Sequence, residues 1–491
     1  MEPTRAVSST DRNARSMPAV WRLVVACVQL LLLLTVESSE AARTYSLQEG
    51  AVTSRRPQAF TDSTNLPRHG PANESFHLSD GSWVDCVPME NQIAAHHPNL
   101  QDHVIQNMVP RATSQTRLLK SPRLRTNDIV SAKNNYRPER QPSHPQLFAR
   151  EHGGCRKGFI PVQRISDLNR QRLKTSGPRL VDQAARSSTS PRQPGAAAVN
   201  MVDCKKAGVH EYAAILGEER IEGYSGQGAS LSVNQPFIGD QKTDFSLSQL
   251  WLEDFSSPGT MNTAEVGWQV YPARWTESNP GKRLAPHLFV YWTSDGYQLT
   301  RCYDLACPGF LQVDKTWVLG GALTVAPVSE ITEYELDMLI TYHKDDASDQ
   351  GAWWLNVNDV WVGYWPEDIY TTMKQKATGV SWGGEIVRES SDIPTETSMG
   401  NGAFPEEGFL DAAFQRNLKF REAASGDWYH ADSIVGRVTN PNCWDVGIEI
   451  EPKNEHYSDW ETYFFFGGPG ALNNEEWLPN VWYLALYVHI F

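Results

Sequence analysis

The sequence predicts an all-β protein. Its last three fifths read as an antiparallel β-sandwich or barrel, entered through a basic region of two small islands and polar linkers. Three observations carry this. Charge and aromatic content change sharply near residue 204. Short apolar and aromatic runs, separated by turn residues, fill the chain beyond that point. Helical periodicity is scarce.

The division comes first. Residues 1–204 carry 26 Lys+Arg against 17 Asp+Glu, an excess of nine positive charges; residues 205–491 carry 18 against 41, an excess of 23 negative ones. Of the 17 Trp, only Trp21 and Trp83 precede residue 204. Aromatic side chains dominate cores, so only the acidic part looks able to bury a large one. The basic residues are scattered among Ser, Pro and Gln with no recognisable binding module, which argues against nucleic acid. A solvated segment, or a basic partner for the acidic domain, suits them better.

Along the chain, Arg5, Arg12, Arg15 and Arg22 precede the apolar run Leu23 to Leu34, too short to span a bilayer comfortably. Small residues follow at Ser38, Ser39, Ala41 and Ala42. Residues 1–42 therefore read as a secretory signal peptide cut after Ala41 or Ala42, with an uncleaved anchor as the alternative. No later segment reads as a membrane span, and the expected location is extracellular. Disulfides are permitted there. With Cys27 lost, six Cys remain, of which Cys302 and Cys307 bracket a loop that a disulfide can pin. The pairing of Cys86, Cys155, Cys204 and Cys443 stays open. Asn73-Glu-Ser75 is a glycosylation sequon.

Residues 43–75 are polar and read as a disordered segment. A compact island covers 76–110, an Arg/Pro/Gln/Asn-rich linker 111–150, a second island 154–170, and a further linker follows. From about residue 208, runs such as FSLSQLWL, HLFVYWT, VWVGYWP and ETYFFFGGPG recur between Gly, Pro, Asn and Asp. Several alternate at period two, as strands with two distinct faces do. The best helical candidates are 366–378 and 406–417. Residues 471–491 form an atypical tail.

The chemistry is defined first by what is missing. There is no Gly-x-Ser-x-Gly elbow, no phosphate-cradling loop and no His-Glu-x-x-His. A zinc site has little support, and no metal or organic cofactor is implied. Carboxylates are plentiful, so acid–base work by a carboxyl pair is the class to test. Two segments qualify. In Glu265-Val-Gly-Trp-Gln-Val270, the side chains of Glu265 and Gln269 share one strand face, and Gly267 is expected to leave open space beside Glu265. In Trp382-Gly-Gly-Glu385-Ile-Val387, Gly383 and Glu385 share a face. Burial raises a carboxyl pKa and keeps one such group protonated. The competing reading places each Glu on a solvated face. Gln269 is a candidate for orienting water or substrate. Trp268 and Trp382 are candidate pocket walls, though more often such residues are core.

These segments, with HEYA (210–213), FSLSQLWL (245–252), YWTSDGYQLTRCYDLACPGF (291–310), WWLNV (353–357), VGYWP (362–366) and FFGGPG (465–470), resemble the plant neprosin family of glutamic peptidases. The island DGSWVDCV…NQIAAHHPNLQDHVIQ resembles that family's activation peptide, and CRKGFIPVQR its companion segment. The resemblance implies a zymogen: signal peptide (1–42), activation pro-segment with basic linkers (76–204) and a jelly-roll-like β-sandwich catalytic domain (205–470). It implies endopeptidase activity at acidic pH with cleavage after proline, hence proline-containing peptide or protein substrates. Cell wall or another acidic extracellular or vacuolar space becomes a candidate location. Glu265 and Glu385 fall on the family's catalytic pair. Similarity to fungal glutamic peptidases makes Glu385 the base and Glu265 the acid or oxyanion stabiliser. Cys302 and Cys307 match a family disulfide. Cys443 matches the first half of another, but no Cys follows it here. Val266 stands where the family has Ala. The composition change places the start of the mature enzyme between about 190 and 208. Rival readings are a carbohydrate-active jelly-roll hydrolase, which also uses two carboxyls, and a non-catalytic cell-wall binding module.

Overall fold

A computed structural model describes residues 69–109, 142–165 and 210–471, apart from 219, 221, 258–259, 276–283, 327–332, 346–347, 389–394 and 450–459. The signal-peptide assignment, the window for the mature start and all but the first residue of the tail lie outside the described residues. Contacts separate residues 62–491 as one unit from residues 1–61. The latter lie wholly outside the described residues, and everything below concerns the unit 62–491.

Three strands come early: β1 (Glu74–His77), β2 (Trp83–Pro88) and β3 (Phe159–Gln163). Then follow β4 (His210–Gly217), β5 (Tyr224–Ser232), β6 (Phe245–Asp254), β7 (Asn262–Val270), β8 (His287–Thr293), β9 (Cys302–Tyr303) and β10 (Leu311–Gln312). Next are β11 (Glu335–Asp345), β12 (Gln350–Val357), β13 (Val360–Pro366), β14 (Gly379–Val387) and β15 (Ala413–Glu422). The last are β16 (Trp428–His430), β17 (Ile434–Val438), β18 (Asp445–Glu449) and β19 (Tyr463–Gly467).

Among the described residues these strands build three sheets. The early strands form β1-β2-β3. A seven-stranded sheet runs β17-β4-β14-β6-β7-β8-β9, and a nine-stranded sheet runs β10-β13-β12-β11-β5-β15-β19-β18 with β16 on β15. All strand pairings within these sheets are antiparallel. The two large sheets pack face to face as an all-β sandwich.

Period two decides what each side chain meets. Even-numbered residues of β6, β7 and β14, among them Leu250, Val266, Trp268, Trp382 and Ile386, enter the core with Leu231, Ile340, Trp353, Leu355, Phe464 and Phe466. Odd-numbered residues of β6 and β8, with Tyr303 of β9, build a second apolar cluster that includes Leu247, Trp251, Phe289 and Tyr291. Every residue of β6, β7 and β14 is buried. The sheet is therefore covered on both sides, which is why these strands read as nearly continuous apolar runs. At about 150–250 Å² per buried aromatic, each fully buried ring brings about 4–6 kcal/mol of transfer free energy.

Four expectations are corrected. The helical candidate 366–378 holds only a 3-10 turn, Glu367–Ile369, entered through Pro366. The candidate 406–417 splits into the turn Pro405–Glu407 and the start of β15. In both places proline fixes the first φ and tertiary pairing overrides weak helical pattern. Order also begins before residue 76: residues 69–75 are described, and β1 starts at Glu74. Likewise, residues 142–150 are not plain linker, because Leu147–His152 is a helix that closes on Gly153 at φ 72°.

The N-terminal region docks on the sandwich through buried polar side chains. Gln92 accepts from the Gln312 amide and donates to the Gln312 carbonyl. Gln146 does the same with Val318, and also donates to the Gly321 carbonyl. Val162 bridges to Leu319, and Ile165 packs on the outer aromatic cluster. Cys86 is bonded to Cys155, settling one open pairing, and Cys302 to Cys307. Cys443, whose pairing is open in the sequence, is disulfide-bonded too. Asn73 is exposed, as a glycosylation acceptor must be.

The Cys86–Cys155 bond closes a separation of 69 residues. Cys86→Ser/Cys155→Ser is expected to cost the N-terminal region about 4 kcal/mol by loop-closure entropy. Native-state hydrogen exchange checks this: amides of β1–β3 should exchange faster while those of β6 and β7 do not change.

Candidate active site

The outer face of the seven-stranded sheet carries Glu265 on β7 and Glu385 on β14, with β6 between them. Strand register explains their company. Gln249 on β6 pairs with Gly267 on one side and Gly383 on the other, so one glutamine lies between the two glutamate strands. Both glutamates are fully buried, as is Gln249.

The two glycines make this arrangement possible. The expected open space beside Gly267 is absent. A Cβ there would lie 2.0 Å from the Ser248 carbonyl oxygen and 2.6 Å from the Gln249 Cβ. Gly383 sits at φ 153°, and its Cβ would meet the Ala214 backbone at 2.5 Å. Glycine is needed at both because the neighbouring strands come in close. From the opposite sheet, Gln415 donates across the core to Ser248 Oγ at 2.9 Å and to the carbonyls of Gln249 and Gly383 at 3.3 Å.

Glu265 is held by neutral donors. Tyr297 donates to Oε1 at 2.6 Å, Thr263 to the same oxygen at 2.7 Å and Gln249 to Oε2 at 3.2 Å. Burial pushes the Glu265 carboxyl up to about 7. The bonds from Tyr297 and Thr263 pull it down, and the like charge of Glu385 pushes it up again. Tyr297 reaches Glu265 from a loop wound around Asp295, whose carboxylate accepts from the amides of Gln298, Leu299 and Thr300. Its φ of 61° is rare for a bulky residue and costs about 1–3 kcal/mol. The loop holds that strained conformation where it points the phenol at the carboxyl.

Glu385 has a different neighbour. Nδ1 of His210, at the start of β4, lies 2.5 Å from Glu385 Oε1. One carboxyl thus faces hydroxyls and an amide, the other an imidazole. Beside them Phe289, Tyr291 and Tyr303 form an aromatic wall, Tyr291 lying 4.5 Å from Tyr303 and 6.0 Å from Tyr297 between ring centroids.

The remaining candidates fall elsewhere. Gln269 shares the glutamate face, but its amide donates to Tyr303 at 3.0 Å. Trp268 and Trp382 project from the opposite face into the inter-sheet core, where Trp268 donates to the Ser232 carbonyl at 2.7 Å. They do not line the glutamate face. Sequence reasoning passed over Gln249, Thr263, Tyr297 and His210. Three of them lie inside strings already singled out: FSLSQLWL, YWTSDGYQLT and HEYA. The signal open to a reader was a lone amide within an apolar run at Gln249.

Tyr297→Phe removes a bond that lowers the Glu265 pKa, so that pKa is expected to rise above about 7. Carbon-13 NMR of labelled glutamate carboxyls checks this, with Glu265→Gln to assign the signal. A lowered or unmoved titration would contradict the geometry.

Residues 242–469 match the profile of the Neprosin family. Two crystal structures of scytalido-glutamic peptidase also match, one with a transition state analog inhibitor and one with a peptide based transition state analog. Each is 11% identical with a TM-score of 0.27, and the match covers 53% of this chain and 98% of that one. The profile match places the segment 242–469, which holds both glutamates, in the Neprosin family, at that level a glutamic peptidase domain.

Proposed function

We propose that this protein is a secreted endopeptidase made as a zymogen, and that Glu265 and Glu385 together activate water against a peptide bond at acidic pH. The observation that carries the reading is the pair itself: two buried carboxyls on one sheet face, with different partners. Below pH about 7 Glu265 is protonated and Glu385 is the base. Glu385 takes a proton from water as the water oxygen attacks the scissile carbonyl carbon. Glu265 donates its proton to the developing oxyanion. The tetrahedral intermediate collapses as Glu385 passes its proton to the amide nitrogen. The C–N bond breaks, the carbonyl re-forms, and Glu265 recovers its proton. The aromatic wall of Phe289, Tyr291 and Tyr303 suits stacking on a proline ring, in line with cleavage after proline.

Latency is supported by burial. Neither glutamate has any exposed surface in the full chain, so a substrate needs an opening. The docking surface supports acid as the trigger. His103 Nε2 lies 2.9 Å from the Tyr364 hydroxyl, and the His144 ring 4.4 Å from that of Trp317. The His97 ring faces Trp292 at 6.1 Å. Burial lowers all three, His97 to about 4 from the usual 6.5. Asp368 beside His103 and Asp314 beside His144 oppose the effect, while Arg150 adds to it at His144. These groups are neutral when docked and take up protons more readily once released. Docking is therefore fully stable above pH about 6.5 and weakens as pH falls towards 4.

Two outcomes follow. After acid treatment, Glu265→Gln and Glu385→Gln should each lose at least about 10³-fold in kcat on a proline-containing peptide; full activity in either would sink the pair. Hydrogen exchange of residues 93–106 should rise between pH 6.5 and 4 in Glu385→Gln, used so that no self-cleavage intervenes. Unchanged protection would remove acid as the trigger.

A further inference from the structure

His210 opens β4 opposite Val387, while Glu385 pairs with Tyr212. His210 and Tyr212 therefore lie on the glutamate face, with rings 6.4 Å apart and nearly parallel at 14°. Glu211 between them faces the other way and meets Thr439. The Glu385 side chain has no exposed surface, whereas the His210 side chain keeps 17%. A buried carboxylate needs a partner that favours its charged form. The donors on Glu265 are neutral; the ring against Glu385 can carry a charge.

We infer that His210 is a positioning residue for the reaction: as an imidazolium against Oε1 it holds Glu385 ionised and oriented as the base. The two-carboxyl pair alone is nearly symmetric, since two like groups on one face resist ionising together and either can take the single charge. An imidazole on one side breaks that symmetry and fixes which carboxyl is the base. Glu265 lies across β6 on the same face, Tyr212 beside His210, and Arg437 on β17 in register with Ala214. The inference rests on the reading of Glu385 as the base.

The test compares acid-activated wild type, His210→Gln and Glu385→Gln on one proline-containing peptide between pH 3 and 7. His210→Gln is expected to lose about 10- to 100-fold in kcat with KM little changed. The acid limb of its profile should move up by about 1–3 pH units, because a partner charge lowers a carboxyl by about that much. An unmoved acid limb, or a loss confined to KM, would overturn the role of His210. If Glu385→Gln stays active, the base assignment itself fails, whatever His210 does. Should His210→Gln not fold, NMR titration of His210 decides. An imidazolium that persists to higher pH in wild type than in Glu385→Gln supports the inference, and equal titration overturns it.

Discussion

The structure turns on the burial of two carboxyl groups on one face of a sheet. Neither has water to share its charge, so each must be neutral or be matched. At Glu265 burial pushes the pKa up to about 7, against three neutral donors that pull it down. Glu385 lies against an imidazole. The difference between the two environments is the chemical asset of the site, because a base and an acid are needed at the same pH.

The backbone is built to permit this. Strands stand about 4.8 Å apart, and a side chain between two glutamate strands fits only if its cross-strand neighbours yield space. Gly267 and Gly383 yield it to Gln249. Gln415 secures the strand carbonyls from behind, through the core. The strained turn at Tyr297 is held by Asp295 and supplies a donor that no strand residue offers. Rigid sheet, loop and opposite sheet all converge on a few atoms, which is how a site is pre-organised.

Much of this was legible in the sequence. The change near residue 204, the alternation of apolar runs and the scarcity of helical period lead to an all-β sandwich, and the structure is one. Glu265 and Glu385 stood out as carboxyls in apolar strands beside glycine. What surrounds them did not, because cross-strand register joins residues far apart in the chain. His210 meets Glu385 across 175 positions, and Gln249 meets Gly383 through a pairing that no local pattern encodes. The same limit explains the misplaced space at Gly267: a missing side chain says that something comes close, not what. Trp268 and Trp382 were ambiguous for a simpler reason. Both faces of this sheet are covered, so apolar character does not tell inside from outside.

The central claim is that Glu265 is protonated while Glu385 is ionised in the same molecule. Difference infrared spectroscopy at pH 5, between wild type and each single Glu→Gln variant, reads this directly. The account predicts that Glu265→Gln removes a protonated-carboxyl band and that Glu385→Gln removes a carboxylate band. Loss of a carboxylate band in Glu265→Gln, or of a protonated band in Glu385→Gln, would contradict it.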